Sequence, residues 1–276
     1  MVRLTGVEPA VPELDAPGGR CARHSREAPY KREAAAPNED ACFHRAIGEE
    51  AAVFAVADGV GGHAHGEAAS ALAVQCLGEA LDAPGVDPTN LREPILDAIE
   101  RCNRELLEEG RGSATTLVVV ELQGDVIRPY HVGDSSIMVI GREGRLRFRS
   151  IAHSPIGYGI EAGLLDEDAA IDHAERHWLS NLVGSAEMRI EVGAPLTLGP
   201  RDTLLLCSDA LTDNLATEAI ADTARRAPLG VAAARLVAAC ERAMAGESGH
   251  PDDLTLLLYR RHRAPAGGDT SGGAGR

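Results

Sequence analysis

Three apolar segments of the chain each lead into an aspartate. Residues 53–57 (VFAVA) precede Asp58, residues 204–207 (LLLC) precede Ser208 and Asp209, and residues 130–132 (YHV) precede Gly133 and Asp134. A carboxylate buried at a strand end costs on the order of several kcal/mol unless a partner neutralises it. Few Lys or Arg residues lie near these aspartates in the sequence. Several such carboxylates would together bind a divalent cation, and a ligand set made only of oxygen favours Mg²⁺ or Mn²⁺ over Zn²⁺.

Each of these features also has a simpler interpretation when it is taken alone. An isolated aspartate often caps a turn or the helix that follows. The glycine-rich turn at residues 58–62 (DGVGG) lacks the Lys-Ser/Thr ending of a Walker loop and the G-x-G-x-x-G order of a dinucleotide site. Its glycines would instead let the backbone approach a metal closely, with a carbonyl oxygen as a ligand. Because the strand-end aspartate recurs three times, the metal interpretation is favoured over simple caps.

The elements that must position these aspartates are strands joined by tight turns and long amphipathic helices. Apolar runs bounded by turn residues predict strands at 52–57, 115–122, 126–132, 137–140, 145–150, 203–208 and 254–260. The turns at 123–125 and 142–144 predict antiparallel hairpins. Apolar residues at helical spacing predict helices at 67–81, at 94–109 and within 229–244. These elements indicate an α+β fold in which helices cover antiparallel sheets, rather than a βαβ repeat.

Composition narrows the class of protein. The 276 residues include 42 acidic and 27 basic side chains, a formal charge of −15. This excess of negative charge argues against a nucleic acid as the main partner, because the phosphate backbone would be repelled. No apolar stretch is long enough to span a membrane and no signal peptide is evident, so we expect a cytoplasmic protein whose six cysteines are reduced.

Six short motifs of the chain follow one another in the order seen in a known family. The sequence resembles the metal-dependent PPM-type (protein phosphatase 2C) serine/threonine protein phosphatases, in particular the bacterial branch. The motifs are 38–41 (NEDA), 58–62 (DGVGG), 112–116 (GSATT), 132–136 (VGDSS), 208–213 (SDALTD) and 252–255 (DDLT). Together they extend from about residue 38 to 260, which is nearly the whole chain.

The resemblance implies a four-layer α/β/β/α sandwich, with two central antiparallel sheets flanked by helices and metal ions between the sheets. It implies a PPM-type phosphatase domain at residues 21–263. The Pro and Gly residues between 9 and 19 indicate an N-terminal arm at 1–20 that is loose or docked, and the Gly, Ser, Thr and Ala content of residues 264–276 indicates a disordered tail. The resemblance also implies a flap-like segment at about residues 150–199, near the active site. The implied partner is a phosphorylated protein, such as a serine/threonine kinase or its target.

The resemblance also implies a role for each matching residue. Asp58 would bridge two Mn²⁺ or Mg²⁺ ions, and with Asp209 it would form the catalytic centre. The Gly59 carbonyl would be a ligand of the second ion, and Asp209 and Asp252 would be ligands of the first. Asp134 and Asp209 would bind a weaker third ion. Asp40, with Glu39, would act through metal-bound waters, and Asp253 would lie beside the ligands. A water bridging the two ions would attack phosphorus in line, without a protein nucleophile.

Some positions depart from the family pattern. Ala35 stands where the family often has a phosphate-binding Arg, so Lys31 or Arg32 would have to reach the phosphate instead. Ala210 replaces the usual Gly and would be strained if the backbone there needed a positive φ, and Asp253 replaces the common Asn. Ala35 and Ala210 keep open a catalytically weak, phosphatase-shaped binding or regulatory module. A small-molecule phosphoesterase that uses the same metals is a further alternative.

One further pair could bind a metal by itself. His173 and His177 are four residues apart and would share one helical face. A polar helix face with Arg176 is the favoured interpretation, because no third ligand is evident.

Overall fold

The computed structural model describes residues 10–34, 36–60, 65–166, 173, 175 and 178–262. The strands are β1 (Glu13–Ala16), β2 (Gly19–Arg26), β3 (Asp40–Ile47), β4 (Ala51–Asp58), β5 (Leu117–Gln123), β6 (Val126–Val132), β7 (Ser136–Ile140), β8 (Leu146–Arg149), β9 (Glu191–Val192), β10 (Leu196–Thr197), β11 (Thr203–Cys207) and β12 (Leu254–Arg261). The helices are α1 (Pro29–Ala34), α2 (Gly66–Leu81), α3 (Arg92–Glu109), α4 (Pro155–Glu161), α5 (Asp209–Asn214), α6 (Thr217–Arg226) and α7 (Leu229–Met244).

The strands form two antiparallel sheets. One sheet has the order β1-β2-β12-β11-β7-β8, and the other has the order β10-β6-β5-β4-β3, with β9 also paired to β6. The chain passes between the sheets at the short connection from β6 to β7, which contains Gly133 and Asp134. Asp134 therefore lies at the junction of the two sheets.

Three apolar clusters hold four layers together. Side chains of β4 and β5 pack against α2 and α3 on one outer face, and side chains of β7, β11 and β12 pack against α6 and α7 on the other. Between the sheets, Phe54 and Val56 of β4 contact the cluster that contains Leu206 and Tyr259. The expected four-layer sandwich is confirmed.

The apolar run of β4 follows from this arrangement. Val53, Ala55 and Ala57 face the helices, whereas Phe54 and Val56 face the other sheet. Because both faces of the strand are buried, no polar alternation is needed, and a continuous apolar run is the pattern expected of a strand covered on both sides.

The N-terminal strands were not predicted from the sequence. β1 pairs with β2, and the Tyr259 hydroxyl donates a 2.7 Å hydrogen bond to the Pro17 carbonyl, so residues 13–20 belong to the sheet. The predicted domain boundary at residue 21 falls inside β2, and the sheet begins earlier, at Glu13. Residues 1–9 and 263–276, which include the rest of the arm and the tail, lie outside the described residues.

Two further expectations concern the cysteines and membrane-spanning segments. The six cysteines are all free thiols. Among the described residues, no helix combines the length and the apolar character that crossing a bilayer would require.

Candidate metal centre

The pairing of β3 with β4 brings two aspartates together. Asp40 begins β3, Asp58 ends β4, and the two residues are direct cross-strand partners. Directly opposite side chains on one sheet face lie about 5 Å apart at their Cβ atoms, and like charges there are destabilising. The predicted grouping of Asp40 with Asp58 is thus built into the register of this hairpin.

The other sheet contributes two more carboxylates from neighbouring strands. Asp209 follows β11 and is the first residue of α5, while Asp252 precedes β12. Since β11 and β12 are antiparallel partners with Cys207 opposite Leu256, the end of one strand lies beside the start of the other. Asp209 and Asp252 therefore lie at neighbouring ends of these two strands.

The electrostatic environment shows that these carboxylates share one site. Burial raises the pKa of Asp58 well above its usual range, and four further negative charges raise it more. These charges belong to Asp40, Asp209, Asp252 and Asp134. Aspartates that are far apart in the sequence therefore converge between the two sheets.

The same causes act on the other members of the cluster. Burial, followed by the charge of Asp209, raises the pKa of Asp134 well above its usual range and raises that of Asp252 to about 7. Burial also raises the pKa of Asp40, and the charges of Asp253 and Asp209 raise it further. In the protein alone, the ionised forms of these carboxylates are destabilised.

Two of the carboxylates lack the hydrogen bonds that would stabilise them. Both side-chain oxygens of Asp40, and Oδ1 of Asp134, are buried without a hydrogen-bond partner among the described residues. The hydroxyl groups of Thr255 and Ser208 donate elsewhere, to Ser25 Oγ and to backbone carbonyls. Buried carboxylate oxygens without donors, in a cluster of hard oxygen ligands, fit divalent cations such as Mg²⁺ or Mn²⁺.

The backbone around Asp58 is held by the predicted threonine-rich motif. Thr115 Oγ1 donates to the Asp58 carbonyl at 2.8 Å, and the Asp58 amide donates to Thr116 Oγ1 at 3.2 Å. The Gly59 amide donates to the Glu39 carbonyl, and a Cβ at Gly59 would lie 2.2 Å from the carbonyl oxygen of Gly66. Glycine at position 59 lets α2 pack directly against the end of the strand that carries Asp58.

The turn that carries Asp134 depends on contacts that the sequence did not reveal. Gly133 has a φ of +100°, and a Cβ there would lie 2.7 Å from Thr116 Cβ. Its amide donates to His153 Nδ1, which also accepts from the Asn181 side chain, so the Nε2 proton of His153 points to Glu191. His153 is therefore a residue that positions Asp134, and its role could not be inferred from spacing along the chain.

His131 completes a small group with His153 and Glu191. The possible ligand atoms of these three residues lie within 4.8 Å of one another. The His131 Nε2 atom donates to the Ile151 carbonyl, and burial lowers the pKa of both histidines. Since these ring nitrogens already make hydrogen bonds within the protein, the group fastens residues 151–153 and β9 to the end of β6.

Lys31 lies beside the aspartates, but its charge is already paired. Its ammonium group contacts Asp253 Oδ2 at 2.7 Å and Glu39 Oε2 at 2.5 Å, and only 10% of its side chain is exposed. Asp253 also accepts hydrogen bonds from the amides of Ala28 and Glu39, both at 2.7 Å. Lys31 therefore joins α1 to β3 and β12, rather than presenting a free cation to a substrate phosphate.

The other phosphate-binding candidate makes a more exposed contact. Arg32 pairs with Glu27 at 3.5 Å, and about a third of each side chain is exposed. Ala35, Arg176 and His177 lie outside the described residues, so the favoured interpretation of His173 and His177 as part of a polar helix face stays a prediction. Ala210 is buried within α5 and is not among the described residues with positive φ, so the strain considered for this position does not arise.

Comparison with known proteins identifies the family. The sequence model described as protein phosphatase 2C matches residues 29–248. The chain belongs to the protein phosphatase 2C family. The resemblance read from the six motifs is confirmed, and the family match includes Asp40, Asp58 and Asp209.

Curated relatives of this protein phosphatase 2C chain are bacterial. It is 30% identical over 237 residues to protein phosphatase PhpP of Streptococcus pneumoniae, a match that covers 83% of this chain and 94% of PhpP. It is also 30% identical over 234 residues to the serine/threonine protein phosphatase PstP of Mycobacterium tuberculosis. That match covers 81% of this chain and 42% of PstP, so the chain spans less than half the length of this relative.

Solved structures of similar proteins share the fold. The S. agalactiae serine/threonine phosphatase aligns with a TM-score of 0.75 at 25% identity, covering 88% of this protein phosphatase 2C chain and 99% of that one. The catalytic domain of PstP in complex with two manganese ions aligns with a TM-score of 0.69 at 25% identity, covering 87% and 97% of the two chains.

Proposed function

We propose that this chain hydrolyses phosphoserine and phosphothreonine in proteins, with divalent cations held by its cluster of buried aspartates. The observation that carries the proposal is the convergence of Asp40, Asp58 and Asp134 in one site, where burial and mutual repulsion raise the pKa of each carboxylate. A buried cluster of ionised carboxylates is destabilising unless positive charge neutralises it. The named phosphatase relatives support the same reaction class.

The aspartates have distinct parts in holding the cations. Asp58 is buried beside the other carboxylates, whose charges raise its pKa, and as the family resemblance implies it would bind both ions. Asp209 and Asp252, at adjacent strand ends, would complete the ligands of one ion. Asp40 would contribute from β3 in the other sheet, beside Asp58. Asp134 would hold a third, weaker ion with Asp209.

When bound, two such ions supply the positive charge that makes a water usable as a nucleophile at neutral pH and that offsets the charge on the phosphoryl oxygens. A new bond forms from the water oxygen to phosphorus while the bond from phosphorus to the serine or threonine oxygen breaks, which yields inorganic phosphate and a free hydroxyl group. The chain's part is to hold the carboxylates in a buried site, where Thr115 and Thr116 fix the backbone of Asp58.

Hydrolysis of a phosphothreonine peptide in the presence of Mn²⁺ tests the proposal. We expect Asp58→Asn and Asp209→Asn to lower kcat/KM by about 100-fold or more, the scale of losing one element of transition-state charge stabilisation. Asp97→Asn, at an exposed position of α3, is the matched control and should retain activity. Equal turnover by the wild type and both site variants would overturn the proposal.

The two alternatives can be separated in the same assay. A binding or regulatory module would bind phosphopeptide without hydrolysing it, and the ordinary helical position of Ala210 removes one of the two reasons for considering it. A small-molecule phosphoesterase would prefer simple phosphate esters over phosphopeptides in direct competition. We expect Mn²⁺-dependent hydrolysis that favours the phosphopeptide.

A further inference from the structure

A cavity of about 430 Å³ lies directly beside the aspartate cluster. Its wall includes Asp134 and Asp209, and it extends between β8, α4 and the segment from α5 to the start of α6. A volume of this size is within the range of about 300–1,000 Å³ that is typical of ligand sites. It therefore offers much more room than one phosphoryl group at the metal centre would use.

Part of the cavity wall is apolar. This part is formed by Leu146 and Phe148 of β8, Ile156 and Ile160 of α4, and Leu215 after α5. All five side chains are only partly buried, so they leave apolar surface that an apolar ligand could cover. Covering such surface is favourable by roughly 25 cal/mol per Å².

Two arginines of the cavity wall make contacts within the protein. Arg149 donates from Nη1 to Thr217 Oγ1 at 2.9 Å, and Arg147 is paired with Asp202. The remaining charged residues of the wall, Glu161 and Asp213 besides Asp134 and Asp209, are acidic and disfavour a second phosphate in the cavity.

The position of the cavity identifies its occupant. If the phosphorylated side chain of a protein substrate reaches Asp134 and Asp209, the neighbouring residues of that substrate lie close to the cavity that shares these two aspartates. Consecutive residues of an extended chain advance by about 3.3–3.6 Å each. A side chain within two residues of the phosphorylated one is therefore the part of the substrate that can enter.

From these contacts we infer that the cavity binds an aliphatic or aromatic side chain of the phosphoprotein substrate, located within two residues of the phosphorylated serine or threonine. The inference rests on the proposed phosphatase function and adds a sequence preference to it. It assigns to β8, α4 and Leu215 the selection among phosphoproteins, which the aspartates themselves cannot make because every phosphate ester presents the same phosphoryl group.

The test is a panel of phosphothreonine peptides hydrolysed by the full chain with Mn²⁺. All peptides have serine on both sides of the phosphothreonine, and a single leucine is placed at each of the four positions within two residues of it. We expect leucine at one or more positions to raise kcat/KM by about 10-fold, the scale of filling an apolar pocket. Ile160→Ser and Ile156→Ser should reduce this preference to about 2-fold or less, while Ile160→Leu should keep it.

Leu107→Ser is the matched control, because Leu107 is an exposed leucine of α3 in the opposite helical layer. It should leave the leucine preference unchanged. Thermal unfolding of each variant identifies any loss of folding, and the two serine variants provide independent readings of the same wall.

The outcomes separate the cavity inference from the proposed function. Absence of turnover on both p-nitrophenyl phosphate and the peptides would contradict the phosphatase function itself. Turnover without any leucine preference, or a preference that survives both serine variants, would overturn the cavity inference and leave the function standing. A preference for naphthyl over methyl phosphate that Ile160→Ser removes, without a leucine preference in peptides, would assign the cavity to small esters and would also overturn it.

Discussion

Removing the ammonium group of Lys31 should destabilise the protein much more than breaking an ion pair on its surface. In Lys31→Met, Asp253 would keep its buried carboxylate but lose the cation 2.7 Å away, and Glu39 would lose the same partner. Burial alone would lower the pKa of Lys31, but the hydrogen bonds to Asp253 and Glu39 outweigh it and raise that pKa. Lys31 is therefore charged in the folded protein, and both carboxylates depend on it.

The size of the effect follows from the burial of the pair. Asp253 is 3% exposed at its side chain and Lys31 is 10% exposed, so removal of one partner leaves an uncompensated buried charge. Such a loss typically costs about 3–5 kcal/mol. The two amide donors to Asp253 remain, so we take the lower end, about 3 kcal/mol. For a domain of about this size, that corresponds to a fall in Tm of about 6–12 °C.

The assay is calorimetric unfolding of the metal-free protein, so that the result does not depend on turnover. The control is Arg45→Met, which breaks the exposed pair of Arg45 with Asp82 at 2.9 Å and should cost less than about 1 kcal/mol. The double variant Lys31→Met/Asp253→Asn should be less destabilised than the sum of the single variants, because it leaves no charge on Asp253. If Lys31→Met unfolds at the same temperature as Arg45→Met, the buried-pair reasoning is wrong.

Three other predictions concern the aspartate cluster. The metal-free protein should become more stable as pH falls from 8 to 6. Folding raises the pKa of Asp252 to about 7, so its stabilising contribution is present at low pH and is lost as pH rises through this pKa. Thermal melts across this range check the sign, and a Tm that falls with decreasing pH would contradict it. Mn²⁺ at 100 times its Kd should add about 2.7 kcal/mol to the unfolding free energy, and Asp58→Asn but not Asp97→Asn should abolish this gain in calorimetry; an undiminished gain in Asp58→Asn would count against that site. Gly133→Ala should destabilise by about 1–3 kcal/mol, because alanine disfavours a φ of +100° and its Cβ would collide with Thr116; urea unfolding measures the loss, and wild-type stability would refute the requirement for glycine.

Sequence patterns predicted the elements whose side chains are buried on both faces. β4, β5, β11 and β12 each contain an uninterrupted apolar run of at least four residues, and short runs of this length bounded by turn residues are typical of buried strands. In contrast, β1, β2 and β3 were missed. β2 (GRCARHSR) and β3 (DACFHRAI) carry several polar side chains and are only partly buried, so their strand character depends on pairing with β12 and β4.

The aspartates of the candidate metal centre were also predictable from local sequence patterns only in part. Asp58, Asp134 and Asp209 were indicated by the apolar strands before them. In contrast, Asp40 is the first residue of β3 and Asp252 precedes β12, so both were identified only through the family resemblance. Placing them together required the register of the sheets, which local patterns do not contain. The contact of Lys31 with Asp253 joins residues 222 positions apart, and no property of either residue alone predicts it.

The hairpin of β3 and β4 makes the geometry of the candidate metal centre sensitive to the turn at the other end of the hairpin. Asp40 opposes Asp58 only because Ile47 opposes Ala51, and that pairing is set by the three-residue turn at 48–50, in which Gly48 has a φ of +69°. A slip of one residue would turn every side chain of β3 to the opposite face. A one-residue insertion at this solvent-exposed turn would thus separate Asp40 from Asp58, about 20 Å away, although neither side chain is changed.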